Sequence, residues 1–311
     1  MDRHELAWAA GFFDGEGWAN AVSQTGRRTR QPHAQINQAG TDGMPSVLMK
    51  FQRCVGVGRL KGPLIKGGKQ DLYWWEATSR PDVGRVADLI GPWLCPAKRA
   101  EFEQALGGPL SPATWPGSAS EERAWAGGFF DGEGSTYLEK HRTHAGYVVP
   151  RLYVPQSAEV GVAPELVRLK SALADLGTIS GVRPGKGNWR PYRRWRVCTL
   201  AGVQLGLHLL WPFIGDVKRS QAQLVMQVIH SQPDLPRGNP AFGVAGARYC
   251  LNGHDKWNAR MRPFKGRGRN EEDPNHHLRQ CLECVRIDAR DRRARSRSKD
   301  RRRKRRRSVV T

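Results

Sequence analysis

The stretch ELAWAAGFFDGEG at residues 5–17 returns as ERAWAGGFFDGEG at residues 122–134. The correspondence runs on through whole segments. Gln38 faces Gln156, Trp75 faces Trp195, and the Lys98-Arg99 step faces Lys218-Arg219. A match sustained over that length marks a duplicated domain rather than a duplicated motif, so the chain must fold as two related halves.

Within each copy the periodicities change in the same order. A helix rich in small residues comes first, followed by alternating stretches such as HAQINQA (33–39) and YVVPRLYV (147–154), which suit strands of a half-exposed sheet. Helical spacing then joins Val47, Leu48, Phe51 and Val55 in copy one and Leu166, Leu169 and Leu173 in copy two. Two more strands and terminal helices close each half, with Pro96 near a favoured first-turn position. The organisation expected is a first half at 1–106, a Gly/Pro/Ser-rich linker at 107–120, and a second half at 121–232. A second linker at 233–247 follows, then a small module at 248–286 and a basic tail at 287–311.

In the first helix Ala7, Gly11 and Gly15 recur every fourth position and so share one face. A stripe of small residues lets two helices approach closely. Pairing the first helices of the two copies around a pseudo-two-fold axis brings Glu16 and Glu133 together at the helix C-termini. Two carboxylates beside the negative ends of two helix dipoles need a positive partner. A divalent cation fits, held by Glu16, Glu133 and the nearby carbonyls of Gly17 and Gly134, with phosphate oxygens completing its shell.

Charge supports a phosphate-bearing partner. The 311 residues carry 51 Lys and Arg against 29 Asp and Glu, a formal net charge of +22, far more than solubility requires. No uninterrupted apolar stretch is long enough to span a membrane, and the N-terminus lacks the pattern of a secretion signal, so a soluble cytoplasmic protein is expected. Six cysteines, three of them (Cys54, Cys95, Cys198) isolated in regular segments, do not make a disulfide framework.

Both copies of the opening stretch resemble the motif of the LAGLIDADG homing endonucleases, and the two-copy chain resembles the monomeric members of that family. The resemblance covers roughly residues 1–231. It implies an α+β fold of two pseudo-symmetric αββαββα halves whose sheets lie in the DNA major groove. It also implies Mg²⁺ bound by Glu16 and Glu133 and cleavage of both strands of double-stranded DNA by one monomer. Gln38 and Gln156 match a family position near the reactive water, and Lys98 and Lys218 a basic position that stabilises charge at the scissile phosphate. Asp14 and Asp131 match an acid that serves the helix end and the interface. The family more often has Asp where this chain has Glu16 and Glu133.

Strand-like segments carry the candidate DNA contacts. These are Arg27, Arg28, Arg30 and Gln35, then Lys61, Lys66 and Lys69, in copy one. In copy two they are Lys140, Arg142 and Arg151, then Arg183, Lys186, Arg190, Arg193 and Arg194. Alternation along a strand sets such residues on one face, where cations meet phosphates and Gln or Arg reaches base edges. About half of them are expected to be solvated loop charges. The two sets differ, which implies a long target without palindromic symmetry.

Near the C-terminus Cys250 and His254 form a CxxxH pair and Cys281 and Cys284 a CxxC pair, the ligand set that tetrahedral Zn²⁺ favours, with His276 or His277 as alternative ligands. The residues between hold few apolar side chains and need a metal to fold. Residues 287–311 hold 13 Lys and Arg against 3 Asp and are expected to be disordered alone, binding DNA or RNA phosphates without sequence preference. The leading expectation is a Mg²⁺-dependent, site-specific DNA endonuclease. The alternatives are a cleavage-inactive DNA-binding regulator or RNA-splicing maturase of the same fold, and a zinc-dependent scaffold that leaves the paired acids unexplained.

Overall fold

The computed structural model of the chain describes residues 2–23, 30–40, 43–65, 70–113, 117–140, 148–157, 161–185, 190–231, 261–263 and 279–281. Copy one runs α1 (Arg3–Glu16), β1 (Gly17–Ser23), β2 (Arg30–Gly40), α2 (Ser46–Val55), β3 (Arg59–Leu64), β4 (Asp71–Ala77), α3 (Arg80–Ile90), a 3-10 turn (Gly91–Trp93) and α4 (Pro96–Leu106). Copy two repeats the order as α5 (Ala119–Glu133), β5 (Ser135–Lys140), β6 (Val148–Ser157), α6 (Pro164–Ala172), β7 (Thr178–Ile179), β8 (Tyr192–Val197), α7 (Leu200–Leu210) and α8 (Asp216–Ser231). Each half is thus αββαββα with one further helix.

Local signals set these boundaries. Asp2 caps α1 by accepting from His4 N, and the Ser79 and Thr199 side chains cap α3 and α7 in the same way. Ser118 and Glu121 form a reciprocal capping box that starts α5 at Ala119, inside the stretch 107–120 expected to be linker. The Ser-Ala-Ser-Glu run there is a helix start, and its serine content misleads a reading based on composition. In copy two β7 is only two residues long, and its edge of the sheet continues past Ile179 through Ser180 N, which donates to Arg194 O, and an isolated bridge between Arg183 and Tyr192.

Each half has an antiparallel four-stranded sheet, ordered β1-β2-β4-β3 and β5-β6-β8-β7. The alternate residues Pro32, Ala34 and Ile36 of β2, and Pro150, Leu152 and Val154 of β6, turn inward onto the helices. The core they join is aromatic: Trp8, Trp75, Trp125 and Trp195, with Phe12, Phe13, Phe51, Phe102, Phe129 and Phe130, are fully buried.

The described residues of the two copies form one unit, because α1 and α5 lie against each other along their length. A Cβ on Gly11 would lie 1.9 Å from Trp125 O, and one on Gly128 1.9 Å from Trp8 O. Only glycine permits this approach. Two cations lock the halves further. Lys50 of α2 lies 3.8 Å above the Trp8 ring and donates to Phe213 O at 3.0 Å, tying copy one to copy two. At the equivalent place Arg168 of α6 lies 4.1 Å above Trp125, forms a two-pronged ion pair with Glu122, and donates to Trp93 O of copy one.

A separate unit holds β9 (Met261–Pro263) and β10 (Arg279–Cys281), an antiparallel pair with Cys281 opposite Met261. Cys250, His254 and Cys284, the side chain of Cys281, and the basic tail lie outside the described residues. No helix among the described residues is long and apolar enough to cross a membrane.

Candidate metal centre and nucleic-acid interface

The paired helices α1 and α5 run straight into the first strand of each sheet, and glycine makes the transition possible. A Cβ on Gly17 would strike the Phe13 ring at 2.5 Å and one on Gly134 the Phe130 ring at 2.3 Å. One residue before each glycine stands the acid. The open Cα positions of Gly15 and Gly132 let each acid lie across the neighbouring helix: a Cβ on Gly132 would be 3.0 Å from Glu16 Cγ, and one on Gly15 3.2 Å from Glu133 Cγ. The structure therefore brings Glu16 and Glu133 together, half-buried, at one end of the helix pair.

Their electrostatics are those of a confined like-charge pair. Burial pushes the Glu133 carboxyl up to about 7, with the Glu16 charge adding to the rise and Lys218 and Lys98 opposing it. Burial also raises Glu16, against a hydrogen bond from Gln38 and the field of Lys218. Such a pair can share a divalent cation. Among the described residues no group of three or more His, Cys, Asp or Glu gathers, so backbone carbonyls, water and phosphate would complete an oxygen shell.

Asp14 and Asp131, one turn back, are occupied elsewhere. Asp14 accepts Cys95 N at 3.0 Å, at the start of α4, and Trp125 Nε1 of the other copy at 2.7 Å. Asp131 mirrors it with Gly215 N at 2.8 Å, before α8, and Trp8 Nε1 at 2.9 Å. Both are structural.

The other site candidates flank the acids unequally. Gln38 of β2 hydrogen-bonds Glu16, whereas Gln156 of β6 lies opposite Arg193 and Glu133 has no glutamine partner among the described residues. Lys218 donates to Gly134 O, and its ammonium pKa, lowered by burial, is supported by the charges of Asp131, Glu16 and Glu133. Lys98 donates at 2.8 Å to Glu101 Oε1.

The sheet faces turned away from the helices carry polar side chains. On the first, strand register aligns Trp18 with Gln35, Asn37 with Trp74, and Glu76 with Arg59. Gln35 donates to Asn37 Oδ1 at 2.6 Å, and Glu76 holds Lys61 at 2.5 Å and the Trp74 indole at 2.9 Å. On the second, Tyr153 faces Arg196 and Pro155 faces Arg194, with Arg183 bridged to Tyr192. Arg151 reaches Glu139 at 2.8 Å and Cys198 O at 2.9 Å.

Alternation divides the sequence candidates. Arg30 and Arg193 fall in the opposite register, Arg30 with Pro32 and Arg193 with Trp195, and so do not share the outer face with Gln35 or Arg194. Arg190 is exposed just before β8. Arg27, Arg28, Lys66, Lys69, Arg142 and Lys186, and the side chain of Lys140, lie outside the described residues. Arg196, absent from the sequence candidates, sits on the outer face. Its signal was legible, since a buried Trp195 obliges both neighbours to point outward.

Two αββαββα halves joined through paired first helices, each ending in an acid, define the fold of the LAGLIDADG homing endonucleases. Three solved structures carry that likeness. The LAGLIDADG meganuclease I-AabMI bound to uncleaved DNA matches with a TM-score of 0.55 at 16% identity, over 76% of this chain and 93% of that one. I-CpaMI, also bound to uncleaved DNA, matches at 0.54 and 14%, over 76% and 94%. I-GzeII in complex with its DNA target matches at 0.53 and 15%, over 74% and 92%. No protein-family model matches the chain, and no curated protein matches it in sequence.

Proposed function

We propose that this chain is a LAGLIDADG-type endonuclease that cuts both strands of double-stranded DNA at a long, non-palindromic site, acting as a monomer inside the cell. The observation that carries this reading is the convergence of Glu16 and Glu133 at the end of the α1–α5 pair, where burial and mutual repulsion make the unliganded pair unfavourable. A binding protein has no need of two such acids.

Mg²⁺ would be held by the Glu16 and Glu133 carboxylates and the Gly17 and Gly134 carbonyls. The donor set is all oxygen and anionic, which suits a hard cation, although Gly134 O already accepts from Lys218 and offers only its second lone pair. When bound, such an ion lowers the pKa of coordinated water and offsets phosphate charge. The residues of the chain do the rest. Gln38 fixes the Glu16 carboxylate, Gln156 occupies the matching place in copy two, and Lys98 and Lys218 set positive charge where negative charge develops on the phosphate. The outer sheet faces hold the duplex, with Gln35, Lys61, Arg151, Arg183 and Arg194, joined by Arg196, as contacts. The unlike side chains of the two faces support a target with unlike halves.

Cys250, His254, Cys281 and Cys284 are proposed to close a structural Zn²⁺ site that folds residues 248–286, and the basic tail to add contacts to DNA or RNA phosphates. The support is the ligand spacing. Selection from a randomised double-stranded DNA library, first for cleavage in Mg²⁺ and then for binding in Ca²⁺, tests the function. Recovery of one long asymmetric site, cut on both strands in Mg²⁺, is the expected result. Binding without cutting would leave a regulator or maturase of the same fold.

A further inference from the structure

The two copies diverge at one pair of positions beside the acids. The final helix of each half carries a lysine, Lys98 in α4 and Lys218 in α8, and three residues later Glu101 in copy one but Gln221 in copy two. Glu101 holds Lys98 with one carboxylate oxygen at 2.8 Å and accepts Ala19 N of β1 with the other at 3.0 Å. Both side chains are largely shielded, 20% and 33% exposed, so the ion pair is a fixed feature of that half. In copy two Gln221 supplies no charge. Among the described residues its Oε1 is buried without a partner, as is Oγ1 of Thr136, the counterpart of Ala19, and Lys218 turns to the neutral Gly134 O. The charge of Lys218 reaches both Glu16 and Glu133, whereas that of Lys98 reaches Glu133 alone and is already paired with Glu101.

We propose that Glu101 makes the two cutting half-sites unequal: it offsets the charge of Lys98, so the strand served by Lys98 is cut after the strand served by Lys218, through a nicked intermediate. This rests on the endonuclease reading. A lysine stabilises a scissile phosphate by its charge, and a carboxylate at contact distance cancels much of that field. Glu101 is a positioning residue; it holds Lys98 and touches no substrate. Replacement by glutamine keeps an acceptor for Ala19 N and removes the charge, while Gln221→Glu introduces the same charge in the other half.

The test uses the full chain and the site recovered by selection, end-labelled on one strand at a time, in single-turnover cleavage with Mg²⁺. Wild type is expected to cut one strand first and accumulate a nick. Lys98→Ala identifies the lagging strand by slowing it selectively. Glu101→Gln is expected to speed the lagging strand about 5- to 10-fold with the leading strand unchanged, and Gln221→Glu to slow the leading strand by a similar factor. Equal strand rates in wild type, or a strand ratio that Glu101→Gln leaves unchanged or shifts against the lagging strand, would overturn the proposal while leaving the endonuclease reading intact. A wild type that cuts neither strand of a site it binds would overturn both.

Discussion

The Asp14 carboxylate accepts the Trp125 indole N–H across the α1–α5 interface at 2.7 Å, and Asp131 accepts that of Trp8 at 2.9 Å in the mirrored place. Each acid also caps the last helix of its own half, so one side chain ties together both copies and a helix start. Burial pushes the Asp14 carboxyl up to about 7 despite these donors, which makes the arrangement costly to charge and costly to break. Asp14→Asn and Asp131→Asn place an amide N–H₂ against a donor and are each expected to cost about 1–3 kcal/mol in urea unfolding. A loss under ~0.3 kcal/mol in both would show that the caps do not hold the halves together.

The helix pair depends on the missing side chains of Gly11 and Gly128. Gly11→Ala and Gly128→Ala drive a methyl group into backbone carbonyls 1.9 Å away, and no rotamer relieves that. Either should lower the melting temperature by about 6–12 °C, on the order of 3 kcal/mol in a domain of this size. Gly84→Ala, in the interior of α3 with nothing within 4 Å of its Cβ position, should instead be neutral or gain up to about 1 kcal/mol. Equal melting temperatures for the Gly11 and Gly84 variants would contradict the close approach.

Much of this architecture was legible in the sequence because duplication doubles every signal. The stripe Ala7, Gly11, Gly15 was enough to pair the helices, and pairing them was enough to bring Glu16 to Glu133. What resisted reading was anything decided by side chains meeting across the copies. Lys50 and Arg168 read as ordinary charges on amphipathic helices, yet each lies on a tryptophan and reaches a carbonyl of the other half. A cation with an aliphatic stem can be buried when its head is satisfied, and sequence spacing does not show which heads are. Basic residues grouped by segment also miss strand phase. The pairing of Trp195 with Val154 puts Arg193 in the inward phase and Arg196 in the outward one.

Arg196 gives that correction a test. It lies opposite Tyr153 on the outer face of the second sheet, where a duplex backbone would pass. Arg196→Ala should weaken binding of the selected site in Ca²⁺ and reduce the slope of log K against log salt by about 0.9, the release of one counterion. Arg30→Ala, in the other register, should change that slope by less than half as much. Titrations at four salt concentrations separate the two, and equal slopes would remove Arg196 from the interface.

The paired acids predict a conflict between stability and cleavage. Glu133 titrates at about 7 in the fold against 4.5 as an ordinary carboxyl, so the folded state holds its proton more tightly than the unfolded chain. With the folded value raised, this group's contribution is fully present below pH 4.5, is lost as pH rises, and is gone above about 7. Glu133→Gln removes the titration and the repulsion of Glu16 together. The metal-free variant should match wild type near pH 4.5 and exceed it at pH 8 by about 1–2 kcal/mol, the full linkage value being discounted for the partial exposure of the site. Glu16→Gln should shift stability in the same direction. Both should lose cleavage by a factor on the order of 10³ or more while binding the site in the absence of Mg²⁺ at least as well as wild type, since a negative charge facing phosphate has gone. Melting curves at pH 4.5 and 8 with EDTA, then with Ca²⁺, read the effect without catalysis. Ca²⁺ should stabilise wild type and leave the double variant unmoved. A Glu133→Gln protein no more stable than wild type at pH 8 would show that burial and the Glu16 charge do not disfavour the Glu133 carboxylate there. A double variant that still melts higher in Ca²⁺ would place the cation elsewhere.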